Sequence, residues 1–506
     1  MKFQVKLFPL KTEKLSVILN SADADELGLL PGDRVKVSLG RDTFVAEVEV
    51  ATEMVNPGEV GVCTTTANLY KIAEPCSIEL TPVPKPKSVE YIRKKLDGLK
   101  YSKNEIKDVI SDISKNILND IEIAAFVLAS DIIGLDLDEI QWMTEAMVEC
   151  GDKITFERGT IVDTHSIGGV PGNRASLIIV PTVAAAGLLI PKTASRAITS
   201  ASGTADTMEV LANVNLSIDE IREITERVGG VIAWSAGANI APADELIIKI
   251  EYQIEASPIP HLFASLLAKK VGSGSKYVAI DIPIGDKAKI NSIDFGRSFA
   301  SSFIELGRRL GLKVSATLSD GSQPICNGVG PALEAREILK LMERCEVRND
   351  VVEKSLSIAG ILFEMTGVAT DGYGYAKKIF ESGKSLEKFK EIIEAQGGDG
   401  SIKSDDIQIG DKTYTLRSSK DGYVKYIDIS VINEIARAAG APKDKGSGVY
   451  VHRKRGEIVR AGDPLLTIYA EKEWKLDNAM EIAQTERPIV VSGMVLEVYG
   501  RRGVIS

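Results

Sequence analysis

Apolar and polar positions alternate at period two over the first part of the chain. "FQVKLF" (3–8), "LSVIL" (15–19), "RVKVSL" (34–39) and "TFVAEVEV" (43–50) put every second side chain on one face. That is the pattern of half-buried strands. "PGDR" (31–34) and "LGRD" (39–42) read as the turns between them. Residues 1–84 therefore predict a β-rich, barrel-like N-terminal domain, and the proline-rich "TPVPKPKS" (81–88) predicts a linker.

The period then changes. "SVEYIRKKLDG" (88–98), "SKNEIKDVISDISKNIL" (102–118), "NDIEIAAFVLASDII" (119–133) and "DLDEIQWMTEAMVECG" (136–151) carry helical spacing. Each opens on Ser, Asn or Asp as an N-cap, and Ser102 with Glu105 fits a capping box. Residues 88–154 predict an all-helical domain, which the helical stretch at 243–272 rejoins.

From 155 onward strand and helix patterns alternate. "GTIVDTHS" (159–166), "LLIPKTA" (188–194), "GVIAWS" (230–235), "KYVAIDIP" (276–283) and "KVSATLS" (313–319) read as strands. Between them "SLIIVPTVAAAG" (176–187), "SIDEIREITERVGG" (217–230) and a stretch near 294–311 read as helices, with a second capping box at Ser217 and Glu220. Such alternation predicts an α/β domain with a mostly parallel sheet, over 155–242 and 273–412. Residues 413–506 return to short strands and turns and predict a C-terminal α+β domain. The fold class is thus multidomain α/β.

Composition narrows the functions. The chain has 506 residues and a net charge of −10, so nucleic acid is an unfavourable partner. An anionic ligand must find a local cluster of donors, not a favourable overall field. No uncharged apolar run reaches the ~18 residues of a membrane span. The five cysteines are widely spaced and predict reduced thiols in a cytoplasmic protein, and three histidines make a zinc site an unfavoured expectation.

Four stretches can carry chemistry. "VDTHSIGGVPGNR" (162–174) runs from a strand through three glycines to a helix. It is either a tight turn or an anion cradle, in which glycines turn backbone N–H groups toward a ligand and the helix N-terminus adds positive potential. It lacks the Gly-Lys-Ser/Thr ending of a triphosphate loop. "KTASRAITSASGTAD" (192–206) also links a strand to a helix, and its small and hydroxylated residues suit a phosphate or sugar; the alternative is a solvated linker. In "HLFASLLAKK" (261–270), Ser265 and Lys269 share a helix face, as a ligand pair or as an amphipathic helix with an exposed lysine. Lys289 sits in a loop after a strand, where α/β sheets place ligands and where lysines are also merely solvated.

These stretches together resemble the thymidine/pyrimidine-nucleoside phosphorylase family. Its phosphate loop reads here Val162, Asp163, His165, Ser166, Gly168, Gly169 and Val170. Its second signature reads Ser195, Arg196, Gly203, Thr204, Asp206 and Glu209, and its Ser-x-x-x-Lys helix reads Ser265 to Lys269. "GPALEARE" (330–337), "EIIEAQGGD" (391–399), "ARAAGAPKDKG" (436–446) and the extra N-terminal domain are similar to the archaeal branch. The resemblance implies phosphorolysis of nucleoside 5′-monophosphates to free base and ribose 1,5-bisphosphate in nucleotide salvage. Inorganic phosphate would be co-substrate, with no metal or other cofactor. The partners it implies are the nucleoside monophosphate, phosphate and further copies of the chain, as a homodimer or larger oligomer.

Site residues follow the same resemblance. Gly169, Ser195, Arg196, Ala197, Ile198, Thr199, Ser200, Thr204, Ser265 and Lys289 would contact the nucleotide. Ser166, Gly168, Arg174, Ser195 and Thr204 would hold phosphate, and Lys289 and His165 are catalytic candidates. His165 is either a group that orients or protonates substrate or a structural strand-end histidine. Two positions depart from the pattern. Thr164 stands where ordinary thymidine phosphorylases carry lysine, and Arg174 or Lys289 would supply the charge. Ser257 stands where the archaeal branch carries the acid that protonates the base; Glu255 would serve if the register slips.

Three other functions stay open: a nucleoside phosphorylase, an anthranilate phosphoribosyltransferase-like enzyme, and a non-catalytic nucleotide-binding scaffold. For the last, the N-terminal domain resembles double-psi barrels, and "GVYVHRKRGEIVRAGDPLLTIYAE" (448–471) resembles lipoyl-carrier sandwiches without their attachment lysine.

Overall fold

The computed structural model describes residues 1–12, 14–40, 42–197 and 200–493. The chain begins with β1 (Lys2–Phe8), β2 (Ser16–Asn20), α1 (Ser21–Leu27), β3 (Arg34–Leu39), β4 (Asp42–Ala51), β5 (Glu59–Cys63), α2 (Thr64–Tyr70) and β6 (Ser77–Val83). The six strands close a barrel in the order β1-β5-β2-β4-β3-β6. Val17, Leu19, Val35, Val37, Val60 and Val62 fill it, on the inward phase of the alternation. Helices α1 and α2 were not legible in that alternation.

Four helices follow: α3 (Lys87–Leu96), α4 (Lys103–Ser114), α5 (Asp120–Ile132) and α6 (Leu137–Cys150). Two expectations are corrected here. The linker at 81–88 shrinks to three residues, because β6 continues through Pro82, which pairs with Val35. The neighbouring ladder bonds outweigh the one donor that proline lacks. Ser88 is no cap: Pro86 precedes α3, and the Ser88 hydroxyl donates to Asp112 on α4 at 2.6 Å. The capping box at Ser102 forms as expected.

The α/β part runs β7 (Val162–Ser166), α7 (Ser176–Ala185), β8 (Ile190–Ala194), α8 (Thr204–Met208), α9 (Ile218–Val228), β9 (Gly230–Trp234), α10 (Pro242–Gln253), α11 (Ile259–Gly272), β10 (Tyr277–Ile284), α12 (Ile293–Arg309) and β11 (Lys313–Asp320). Strands β7, β10 and β11 pair in parallel, as do β8 and β9. A parallel bridge between Ile161 and Leu189 adjoins the two sets. The continuous helix expected over 243–272 is broken at 254–258, where Glu255 takes a positive φ and Pro258 cannot continue a helix. The capping box at Ser217 is present.

Next come β12 (Gly328–Val329), α13 (Pro331–Glu343), α14 (Asp350–Thr366), α15 (Gly372–Glu381) and α16 (Lys384–Ala395). Helix α7 is apolar on every side and buried among α13, α14 and α16. The C-terminal part holds β13 (Lys412–Arg417), β14 (Gly422–Ile427), α17 (Ile429–Ala438), β15 (Gly448–Val451), β16 (Ile458–Val459), β17 (Pro464–Ala470), α18 (Glu473–Thr485) and β18 (Ile489–Ser492). Its strands form two antiparallel sheets, β12-β15-β17-β13 and β16-β14-β18. The expected strand beyond 493 lies outside the described residues.

By contacts the chain divides into two units. One comprises Met1–Ala146 and Ala243–His261, and the other Met147–Pro242 and Leu262–Ser506. Among the described residues no helix is long and apolar enough to cross a membrane.

Candidate active site

The site lies in the second unit, at the carboxyl ends of β7 and β8. Two loops leave these strands and line one cavity of about 140 Å³. The first supplies Thr164, His165, Ser166, Gly168 and Gly169, and the second Ser195, Arg196, Ser200, Gly203 and Thr204. Ala175 and Ser176 at the start of α7, Arg174 before it, Lys192 on β8 and Asp281 on β10 also line it. Helix α7 has no acidic residue in its first turn and no side-chain cap, so its positive end is left for a ligand.

The three glycines of the first loop have different work. Gly168, Gly169 and Gly172 all take positive φ, at 84°, 90° and 73°. A Cβ on Gly168 would meet nothing within 4 Å, and one on Gly169 would touch Lys289 Cγ at 3.4 Å. On Gly172 it would stand 2.1 Å from the Ile325 carbonyl oxygen. Two of the glycines therefore leave space at the cavity, and the third lets the loop pack on the chain beneath it.

The second loop is pinned from inside. The Asp206 carboxylate accepts from the Ala197 and Gly203 amides at 2.7 and 2.9 Å. Arg196 bonds to Asp206 at 3.2 Å and, through both guanidinium ends, to Glu209. Its other side stacks over Trp234. Lys445 reaches Glu209 at 2.6 Å. The Arg196 and Lys445 hydrogen bonds hold the Glu209 carboxyl at about 2. The Gly-Thr-x-Asp-x-x-Glu spacing thus has a physical reason: both acids clamp the arginine that opens the loop.

Arg174 lines the cavity but is buried and bonded to protein. It pairs with Glu334 at 2.6 Å, meets Thr207 at 3.1 Å, and donates to the Asn173 and Ser202 carbonyls. The charge expected to replace the lysine missing at 164 is therefore held by Glu334. Thr164 itself donates to the Ala279 carbonyl at 3.1 Å, within the sheet. Ser166 is oriented by the Asn173 amide at 2.9 Å.

His165, open between a protonating or orienting role and a structural one, is held in its neutral form. Burial and the lysines at 270, 192, 269 and 289 hold it well below its ordinary value, so the ring is neutral. Its Nδ1 is buried and has no hydrogen-bond partner among the described residues. Lys269 is 9 % exposed, which overturns the exposed-lysine expectation for that helix, and Ser265 is half-buried. Lys289 is exposed, beside Gly169. Ser257 and Glu255 are exposed in the break between α10 and α11, in the first unit. Ile198 and Thr199 lie outside the described residues.

Sequence reasoning missed the floor of this cavity. Lys192 on β8 lines it and is 3 % exposed, and Lys270 on α11 is completely buried. Lys270 pairs with Asp163 at 2.6 Å, and Lys192 stands 3.8 Å from the same carboxylate. The available signal was a lysine inside the apolar run "LLIPKTA", where a charge has no cheap place.

Three domain families match the chain. The glycosyl transferase family helical bundle domain covers residues 89–151, the glycosyl transferase family a/b domain 158–384, and the pyrimidine nucleoside phosphorylase C-terminal domain 423–490. AMP phosphorylase 2 of Archaeoglobus fulgidus is 66% identical over 499 residues, 99% of each chain. The chain belongs to the AMP phosphorylase family. Other members are AMP phosphorylases of Methanosarcina mazei, 49% identical over 98% of each chain, and of Thermococcus kodakarensis, 47% identical over 99% of this chain and 100% of that one. Anthranilate phosphoribosyltransferase of Thermus thermophilus shares the fold, with a TM-score of 0.52 at 16% identity, over 61% of this chain and 99% of that one. The family's two signature loops are the two that meet at this cavity.

Proposed function

We propose that the protein phosphorolyses AMP, with CMP and UMP as further substrates, to free base and ribose 1,5-bisphosphate in nucleotide salvage. The convergence of the two loops, the start of α7 and a buried lysine on one cavity carries this reading. It does so in a chain that matches AMP phosphorylases end to end.

In the reaction an oxygen of inorganic phosphate forms a bond to the anomeric carbon as the bond from that carbon to the base breaks. The base leaves with the electron pair and takes up a proton. The protein must hold two anions close together, which is costly in water. Pre-positioning contributes up to roughly 7–11 kcal/mol in favourable cases, and fixed donors add electrostatic stabilisation. Ser166, Gly168, Ser195 and Thr204 are assigned to phosphate. Gly169, Ser195 to Ser200, Ser265 and Lys289 are assigned to the nucleotide. Arg196, besides its assignment to the nucleotide, and Arg174 shape the loops from within. The neutral His165 ring orients substrate and is not the acid. A serine hydroxyl holds its proton too tightly to serve at 257, so base protonation falls to Glu255 or to solvent. Amides and lysines supply the countercharge, and no metal is invoked.

We also infer a cytoplasmic homodimer or larger assembly. Ile121, Leu128 and Ile132 leave an exposed apolar edge on α5, 79, 39 and 74 % exposed. The five cysteines are free thiols, which suits a reducing compartment.

The test is phosphate-dependent release of adenine, cytosine and uracil from their monophosphates, with thymidine alongside and after chelation. Turnover of thymidine but of no nucleotide would sink the reading in favour of a nucleoside phosphorylase. Nucleotide binding without release of base would favour the scaffold.

A further inference from the structure

The arginines around the cavity are matched by carboxylates. Arg174 has Glu334, and Arg196 has Asp206 and Glu209. The floor is different. Asp163 serves two lysines, with Lys270 on Oδ2 at 2.6 Å and Lys192 at 3.8 Å from Oδ1. All three are buried, at 0 % for Asp163 and Lys270 and 3 % for Lys192. The hydrogen bond that Lys192 makes is to the Thr193 carbonyl, at 2.7 Å. Two buried cations thus share one buried anion, and the short contact belongs to Lys270, not Lys192. A buried ammonium with an incomplete ion pair is strongly disfavoured. Yet the fold places this one on the wall of the cavity with Gly168, Ser195 and Thr204. An anion entering the cavity supplies the missing charge.

We propose that Lys192 is the cation that fixes inorganic phosphate in this pocket, with Asp163 and Lys270 as positioning residues that hold its ammonium at the wall. The assignment rests on the phosphorolysis reading above and names the group that takes the phosphate charge.

The electrostatics agree. Burial, with Lys270 beside it, brings the Lys192 amine down to about 7, and Asp163 opposes the shift. The titratable and charged groups around this floor are Lys270 and Lys269 from α11, Asp163 and the neutral His165 from β7, Lys289 from the loop after β10, Asp281 on β10 in its ion pair with Lys354, and Arg174 and Arg196 in their carboxylate pairs. In the empty pocket Lys192 loses its proton as pH rises through about 7. Anion affinity is therefore full below that pH and falls above it, and binding takes up a proton.

The variant is Lys192→Met, which keeps length and removes charge. Calorimetry with inorganic phosphate should show affinity reduced about 30-fold, the loss of one charge-assisted hydrogen bond. The KM for AMP should move less than about threefold, and the melting temperature should hold or rise, because an incompletely paired buried charge is gone. Sulfate, which does not titrate here, should bind the wild type at least about tenfold more weakly at pH 9 than at pH 6 and bind the variant without that dependence. Unchanged phosphate affinity in folded Lys192→Met overturns the proposal. So does a parallel loss of phosphate affinity, AMP affinity and melting temperature, which marks a structural lysine. If the variant does not fold, the wild-type sulfate profile decides, and a flat one overturns the proposal. A wild type that binds phosphate but frees no adenine from AMP refutes the phosphorolysis reading and leaves the Lys192 result standing.

Discussion

Gly168→Ala and Gly172→Ala should fail in opposite ways, although both glycines have positive φ in the same loop. At 84° and 73° each added Cβ carries the left-handed cost of roughly 1–2 kcal/mol. For Gly168 the steric account ends there, since nothing stands within 4 Å of the new atom. For Gly172 the new atom lies 2.1 Å from the Ile325 oxygen and 3.0 Å from the Gly328 oxygen, where ordinary contact begins at 3.4 Å. Ile325 cannot retreat freely: its amide bonds to the Pro171 carbonyl at 3.0 Å and its side chain is 5 % exposed in the core. Forcing a methyl into packed structure costs typically about 1–3 kcal/mol. Gly172→Ala should then lose roughly 2–5 kcal/mol and Gly168→Ala roughly 1–2. With about 2–4 °C per kcal/mol for a domain of this size, the melting midpoints should fall by on the order of 4–20 °C and 2–8 °C. Kinetics should reverse the order. The Gly168 methyl projects toward the cavity and should raise the KM for phosphate, whereas folded Gly172→Ala, assayed well below its midpoint, should keep most of its phosphate affinity. Scanning calorimetry and phosphate titration at one temperature decide it. A Gly172→Ala protein that melts with the wild type, or a Gly168→Ala protein that melts as low as Gly172→Ala, refutes the reasoning.

Further outcomes follow from the charge pairs. Glu334→Gln leaves Arg174 buried without its anion and should cost about 3–5 kcal/mol, read by denaturant midpoint; adding Arg174→Met should recover part of it. Arg196→Met removes the bonds from the loop's first turn to Glu209 and Asp206, leaving Asp206 on the Ala197 and Gly203 amides, and should lower kcat/KM for AMP about 10²-fold, since misplacing a positioning loop by ~1 Å has that effect. Glu209, held at about 2 from an ordinary 4.5, stabilises the fold above the higher value, and that contribution disappears as pH falls toward the lower. Glu209→Gln should therefore flatten the acid limb of a melting-temperature profile across that window. Ser257→Ala should leave phosphorolysis within about twofold, and Ser257→Asp should raise kcat by supplying an acid; a large loss in the alanine variant would give the serine a role.

How much was legible in the sequence depends on whether a signal was local. Period-two alternation marked four of the six barrel strands, β1 to β4, and missed β5 and β6, and capping residues marked α4 and α9, because both patterns are set by neighbours along the chain. The break at 254–258 was also local, in Pro258, but the apolar run on both sides masked it. Helices α1 and α2 are seven residues each, too short for periodicity to show. The two loops were readable as anion candidates from glycine and hydroxyl content. Their shared cavity was not legible from either loop alone, since β7 and β8 belong to separate sheets that adjoin at the Ile161–Leu189 bridge. Arg174 illustrates the limit: the residue type suited phosphate, but its partner Glu334 lies 160 positions away.

That partner also shows how to sort cations at such a site. An arginine already bonded to carboxylates and carbonyls of the protein is oriented before any ligand arrives, so it contributes to loop shape. A lysine left with half of a carboxylate has the opposite character: its charge is least stable when the pocket is empty. The first class should respond to mutation through folding and loop placement, the second through anion affinity and pH. Arg174 and Arg196 fall in the first class by their hydrogen bonds, and Lys192 falls in the second by the length of its carboxylate contact, 3.8 Å to Asp163. The lysine absent from position 164 is thus not replaced by the nearest basic residue in the same loop. On the proposal made for Lys192, the function of that absent lysine passes to the neighbouring strand β8, with Asp163 on β7 standing 3.8 Å from Lys192.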